Sequence, residues 1–409
     1  MRDAIVVTGV GLVTPGGIGR EATWQAVCAG RSVAGLDPEL DGLPVPLSCR
    51  VPGFDAHALP SVRQAWRYDR STRLLLAAAH EALEHAGLVP DDWDPARVAL
   101  VTGSAAGGID TLERAYRAFL KSGATAVSPH VLTAFLPNLS AAGHLALDLG
   151  LTGPSLHTST ACASGATAII TACGLLDSGG CDIALAGGTD AMVTALCAAA
   201  FAKMGALSRR NDDPSAASRP FDQDRDGFVL GEGAALLVLE RAAYARARGA
   251  RPLAVVAGHA STSDAYHAVA PDPQGRGLRA AVDGALRRAG ATVADVGHVN
   301  AHGTSTPLND RAEALVIRAM FAGRPPTVTA AKGVLGHTMG AAGAIEAALT
   351  VLSIHRETVP PTANFHKPDA DTEGIDLVTT APHRQRIGLA LSHSLGFGGH
   401  NTVLALAKP

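Results

Sequence analysis

Three short segments carry reactive side chains bracketed by small residues: Thr158-Ser-Thr-Ala-Cys162-Ala-Ser-Gly165, Asn300-Ala-His302-Gly-Thr-Ser-Thr306 and Lys332-Gly-Val-Leu-Gly-His337-Thr-Met-Gly340. Small neighbours let a substrate come close to the backbone. One cysteine and two histidines suit acyl transfer: a thiolate takes the acyl group, and imidazoles donate or shuttle protons. The three residues stand too far apart in sequence for a local metal knuckle, so only the fold can bring them together.

The elements that must position them are legible. Ser155–Thr160 reads as a strand end, and 164–178 as a helix stopped by Gly179-Gly180. Cys162 therefore falls at a strand-to-helix turn, where the helix dipole is expected to favour the thiolate and lower its pKa. An isolated cysteine is more often an inert core residue; this placement, with the two histidine loops, reverses that reading. Cys173 and Cys181 keep it. His302 ends a strand, and His337 precedes a helix over 340–352. Lys332 precedes His337 by one loop and Glu346 follows on the helix. A buried Lys–Glu pair there is one reading, holding the loop and tuning His337; two solvated side chains are the other. The glycine turn Leu395-Gly-Phe397-Gly-Gly-His-Asn401 presents backbone N–H groups suited to an oxyanion hole and an aromatic suited to gating a cavity.

The chain has 409 residues, 47% hydrophobic and only 17% charged, enough for a large core and unlike a disordered chain. A net charge of −3 gives no nucleic-acid footprint. No run approaches a membrane span and no signal peptide opens the chain. The six cysteines show no paired spacing, as expected of a reduced cytoplasmic protein.

The two halves read alike. A helical stretch ending Ala82-Leu-Glu-His-Ala-Gly87 has its counterpart in one ending Ala285-Leu-Arg-Arg-Ala-Gly290. Each precedes a strand running into a glycine turn, then a small-residue helix, then buried apolar strands. Such runs alternating with helices mean strands buried on both faces. Two similar α/β halves sharing a helical layer follow, residues 1–249 carrying the cysteine and 250–409 the histidines. Asp222-Gln-Asp-Arg-Asp-Gly227 superficially suggests a calcium loop but lacks its closing glutamate.

Together, Thr-Ala-Cys162-Ala-Ser-Gly, Asn-Ala-His302-Gly-Thr-Ser-Thr-Pro, Lys332-x3-Gly-His337-x-x-Gly-Ala-Ala-Gly and Gly-Phe397-Gly-Gly resemble an elongating β-ketoacyl-(acyl carrier protein) synthase over nearly the whole chain. The resemblance implies the thiolase-like, duplicated five-layer αβαβα fold. It implies that Cys162 takes the acyl chain and that His302 and His337 stabilise the enolate left when malonyl loses CO2. The backbone N–H groups of Cys162 and Phe397 would form the oxyanion hole, and Lys332 with Glu346 a supporting pair. Thr304 and Thr306 would contact the pantetheine arm, Phe397 would gate the acyl pocket and Phe201 would face it. It further implies no cofactor beyond the phosphopantetheine on an acyl carrier protein. The assembly would be a homodimer or a heterodimer with a chain-length-factor-like homologue.

Departures lean toward secondary metabolism. Asn309-Asp310-Arg311 is closer to type II polyketide ketosynthases than to the housekeeping fatty-acid form, whereas Gly303-Thr-Ser-Thr306 is not their usual sequence. His393 and Leu395 stand where Asn and Phe are common. The expected protein is a ketosynthase of a type II polyketide pathway making reduced or polyene chains, with a housekeeping elongating synthase as alternative. A thiolase would need a second cysteine in the C-terminal glycine loop, and an inert chain-length factor would lack Cys162.

Overall fold

The computed structural model describes residues 3–54, 68–136 and 138–409. Its frame is a 14-stranded mixed sheet in which two strand groups meet. The first holds β1 (Ile5–Thr14), β2 (Val98–Gly103), β3 (Ser155–Thr158), β4 (Ile183–Ala191) and β5 (Leu230–Arg241). The second holds β6 (Ala254–Ser263), β7 (His298–Asn300), β8 (Thr327–Thr329), β9 (Leu389–Gly396) and β10 (His400–Ala407). Their spatial orders are β3-β2-β4-β5-β1 and β8-β7-β9-β10-β6. Each group thus runs third, second, fourth, fifth, first. They join where β1 pairs antiparallel with β6, Val6 opposite Val255 and Val7 opposite Ala254. The repeat expected from the sequence is present as a repeated topology.

Strand residues alternate between faces, and here both faces are covered. Leu100, Leu185, Leu236 and Val238 pack with α1 (Arg70–Ala86) in one outer core. Their neighbours Ala99, Val101, Ala184, Ala186, Leu237 and Leu239 face α2 (Ser164–Asp177) in the central core. The helix α3 (Ala195–Met204) flanks this half. In the second half Val299, Leu391, Val403 and Ala405 pack with α4 (Arg276–Ala289) and α5 (Pro307–Met320). Ala390, Leu404 and Leu406 turn to α6 (Ala342–Arg356) in the central core. The layers are therefore helix, sheet, the shared pair α2 and α6, sheet, helix. The matching glycines of the two halves have the same job: Gly87 and Gly290 close α1 and α4 in left-handed C-caps, with φ of 63° and 64°.

The central pair sets the site. A Cβ on Gly165 would lie 2.8 Å from the Cβ of Ala344 and 3.0 Å from the carbonyl of Gly340. Only glycine lets α2 and the start of α6 pack backbone to backbone. That contact brings the turn before α2, with Cys162, against the turn before α6, with His337.

The calcium-like stretch is a closed polar cluster. The Asp222 carboxylate accepts the backbone N–H groups of Asp224 (2.9 Å), His366 (2.7 Å) and Lys367 (3.1 Å) and pairs with Arg219. Among the described strands, the edge strand β3 pairs only with β2, and its Leu156 is exposed. No helix among the described residues is long and apolar enough to cross a membrane.

Burial pushes the imidazoles of His157, His259 and His298 down to about 4. Below about pH 6.5 the unfolded chain takes up protons that the folded chain refuses until about pH 4, so folding loses ground as acid is added through that interval. The fully enclosed His298 alone should cost on the order of 2 kcal/mol by pH 5. The melting temperature should fall steadily from pH 7.5 to 5, and His298→Asn, which keeps a donor for the Thr327 carbonyl, should flatten that slope. An unchanged slope would exclude His298 as a source.

Candidate active site

Three loops converge on one cavity of about 570 Å³, lined by Cys162, His302, His337, Thr304, Thr306, Phe201 and Phe397 among others. Each loop holds a non-glycine residue with positive φ: Ala161 at 50°, Ser305 at 69° and Met339 at 51°. Such backbone is costly and persists only where surrounding bonds over-determine it. At the first loop, the Ser164 hydroxyl accepts the N–H of Thr160 (2.9 Å) and donates to the carbonyl of Ala161 (2.6 Å), closing the turn that presents Cys162. The glycine turn after β9 lies against it. A Cβ on Gly396 would sit 2.5 Å from the Thr160 carbonyl, so no other residue fits there.

Cys162 is buried, and burial pushes its thiol up to about 11. The Lys332 charge and the backbone N–H groups of Phe397 and of Cys162 itself pull the other way without prevailing. The lowered pKa expected from the helix terminus is thus corrected. Cys162 stands two residues before α2, in a largely apolar cluster with Phe228, Val229 and Met339, and desolvation of the thiolate outweighs the dipole. The two N–H groups aimed at the sulfur are those expected to form the oxyanion hole.

His302 and His337 meet edge to face, their ring centroids 5.5 Å apart. Burial holds both well below the usual imidazole range, and the Lys332 charge adds to it, so both are neutral at pH 7. Their tautomers follow from their neighbours. The Lys332 ammonium, which has only donors, lies 3.2 Å from Nδ1 of His302. The N–H of Met339 donates to Nδ1 of His337 at 3.3 Å. In each ring Nδ1 is the acceptor, the proton sits on Nε2, and Nε2 is the nitrogen left to the cavity.

Lys332 and Glu346 do form a buried pair, each 2% exposed. Burial raises the Glu346 carboxyl and the Lys332 ammonium opposes this. The Lys332 charge does tune His337, as the paired reading of the sequence expects, but its hydrogen bonds to a histidine go to His302: it donates to the His302 carbonyl at 2.7 Å as well as to the ring. The reason is topological. Lys332 begins a short helical turn after β8, the strand paired with β7, whose end carries His302.

Phe201, on α3, faces Phe397 with centroids 6.4 Å apart. The hydroxyls of Thr304 and Thr306 bond each other at 2.9 Å, and Thr306 caps α5. Sequence reasoning missed three groups. Phe228 lies edge-on to His337 at 5.2 Å. Glu313 accepts the N–H groups of His302 and Gly303, both at 2.8 Å. Asp190 accepts Ser104, Ala105 and Gly340 donors, the last at 2.6 Å, and so ties the loop after His337 to the loop after β2. An acid inside the apolar run Ile183–Ala191 was the available signal for Asp190.

Residues 2–245 match the beta-ketoacyl synthase N-terminal domain and residues 253–366 its C-terminal domain. The chain belongs to the beta-ketoacyl synthase family. It is 39% identical to the "3-oxoacyl-[acyl-carrier-protein] synthase 2" of Synechocystis, covering 100% of this chain and 98% of that one. It is 37% identical to the "Tetracenomycin polyketide synthase ketoacyl synthase alpha subunit" of Streptomyces glaucescens, covering 99% and 97%. Among solved structures, "The ishigamide ketosynthase/chain length factor" superposes with a TM-score of 0.92 at 32% identity, over 100% of both chains. A type II polyketide acyl-carrier protein in complex with its ketosynthase, bound to the hexaketide, gives 0.93 at 30%, again over 100% of both. The fold is thus the thiolase-like fold of ketosynthases, and the chain is an enzyme of the acyltransferase type.

With the thiol held up by burial, the rate at which iodoacetamide modifies Cys162 should keep rising from pH 7 to beyond pH 9. A plateau reached near pH 7 in intact-mass kinetics would show that the backbone N–H groups and Lys332 outweigh desolvation.

Proposed function

We propose that this chain is an elongating β-ketoacyl-(acyl carrier protein) synthase that performs a decarboxylative Claisen condensation. The observation that carries the reading is the pair of neutral imidazoles, both with Nε2–H turned to the cavity that holds Cys162. Cys162 exchanges with a carrier-bound acyl thioester: a new sulfur–carbon bond forms, the pantetheine sulfur leaves, and the thiol proton passes to it. The tetrahedral oxygen sits against the N–H groups of Cys162 and Phe397. Malonyl on a carrier protein then enters past Thr304 and Thr306, with its thioester oxygen between the two imidazoles. CO2 leaves, the electron pair stays as an enolate, and its carbon attacks the acyl carbonyl. The carbon–sulfur bond to Cys162 breaks with its electron pair on sulfur, which takes up a proton from water to restore the thiol, and the product is a β-ketoacyl chain two carbons longer. Neutral donors stabilise the enolate without trapping it as an ion pair, and the steps require no resident cofactor.

We place it in a type II polyketide pathway that makes reduced or polyene chains, in the cytoplasm. Asn309-Asp310-Arg311 supports the pathway. The cavity wall beside Cys162, with Ala105, Met192, Phe201, Met204, Phe228 and Met339, supports the reduced chain. Each ketone of a poly-β-keto chain would lack a donor there, at roughly 1–3 kcal/mol apiece. A housekeeping fatty-acid synthase would share that wall; feeding malonyl-carrier and comparing condensation on saturated and on conjugated acyl starters separates the two.

Either oxyanion-stabilising donor should be worth roughly 3 kcal/mol. His302→Ala and His337→Ala should therefore slow condensation by about 10²-fold or more, while intact mass still shows one acyl group on Cys162. Condensation at the wild-type rate in either variant would sink the assignment for that residue.

The unpaired edge of β3 supports a dimer. Leu156 is exposed there, and the chain between β2 and β3 exposes Tyr116, Phe119, Leu120, Leu132 and Leu147. Pairing β3 with its counterpart removes an aggregation-prone edge. The partner is a second copy or a chain-length-factor-like homologue. Sedimentation should show a dimer of the chain alone in the first case, and insolubility rescued by the co-expressed homologue in the second. Leu156→Asp should shift the dimer toward monomer; an active monomer of the unmodified chain would refute both.

A further inference from the structure

We infer that His393 is a positioning residue for His302, acting through the carboxylate of Glu313. His393 lies on β9 and Glu313 on α5, and both are completely buried. Nδ1 of His393 is 3.1 Å from Oε1 of Glu313. The same Oε1 accepts the N–H of His302 at 2.8 Å, and Oε2 accepts the N–H of Gly303 at 2.8 Å. A carboxylate only accepts, so His393 donates from Nδ1. Its Nε2 has no hydrogen-bond partner among the described residues, so the bond to Glu313 is its one polar tie.

His302 is thereby held from two sides by opposite charges. Its N–H points to Glu313 and its carbonyl to the Lys332 ammonium. Lys332 fixes the ring tautomer, and Glu313 fixes where the residue sits. The carboxylate has three donors, two from the loop it holds and one from His393. Removing the third leaves a buried charge short of a bond and free to turn away from the loop. A donor displaced by about 1 Å can lose about 10²-fold in rate. Asparagine, common at this position in the family that the sequence resembles, carries an amide NH2 that can donate to the same oxygen.

The inference rests on reading His302 as an enolate-stabilising donor, so His302→Ala is the reference. Malonyl-carrier decarboxylation and acyl transfer onto Cys162 are measured separately for wild type, His393→Leu and His393→Asn. The Leu variant should lose about 10- to 100-fold in kcat for decarboxylation. Its KM for the malonyl thioester and its acylation of Cys162 should stay near wild type, and His393→Asn should recover most of the loss. Wild-type decarboxylation by His393→Leu would overturn the inference. So would an equal loss in both steps alongside a lower melting temperature, since that marks a merely structural role. If His393→Leu does not fold, a loss of more than about tenfold in His393→Asn overturns it instead. A His302→Ala protein that decarboxylates normally would overturn the reading of His302, whatever the His393 variants do.

Discussion

An ammonium with 2% of its surface exposed must have its charge and its hydrogens answered inside the protein, or it destabilises the fold. Lys332 is answered by three acceptors: the Glu346 carboxylate, the His302 carbonyl and the His302 ring. Removing either charge would leave the other unpaired in the core, at roughly 3–5 kcal/mol. The same contacts decide the chemistry. A nearby positive charge disfavours a proton on either imidazole, and the bond to Nδ1 of His302 sends that ring's single proton to the cavity side. One buried pair thus stabilises the loop and sets the protonation state of the site.

The duplicated scaffold makes that pair possible. Adjacent parallel strands β7 and β8 end together, so His302 and Lys332 emerge side by side. The glycine contact between α2 and the start of α6 brings the other two loops to the same place. Asp190 adds a second tie, gripping the Gly340 N–H from the end of β4. With positions fixed from three directions, the strained residues Ala161, Ser305 and Met339 can hold angles they would abandon in a looser frame.

The fold was legible because its signals are local or repeated. Continuous apolar strand runs, the paired Ala-Gly helix ends and the small-residue helices each report on one element, and the same order occurs twice. The chemistry-bearing loops were legible because glycine framing is also local. What escaped the sequence was tertiary. The Cys162 thiol was read from its helix terminus, but its pKa is governed by enclosure in an apolar cluster built from distant segments. Lys332 was matched to the histidine nearer in sequence, which its charge does reach, but strand pairing also delivers its hydrogen bonds to the other. Glu313 sits on a helix that reads as ordinary and amphipathic, and nothing local says that its carboxylate points back at His302.

Taken together, these environments make the site indifferent to pH over a wide range. Acid must overcome both burial and the Lys332 charge to protonate either imidazole, and base must overcome desolvation to ionise the thiol. Between those limits the neutral thiol and the two neutral donors are the same species. Protonating these two imidazoles, like protonating His157, His259 and His298, favours the unfolded chain, because all of them are held low only while folded. The first effect of mild acid on this protein should therefore come through folding, before the site itself titrates. A donor pair that is neutral by construction needs no particular pH to work, only a scaffold that remains folded around it.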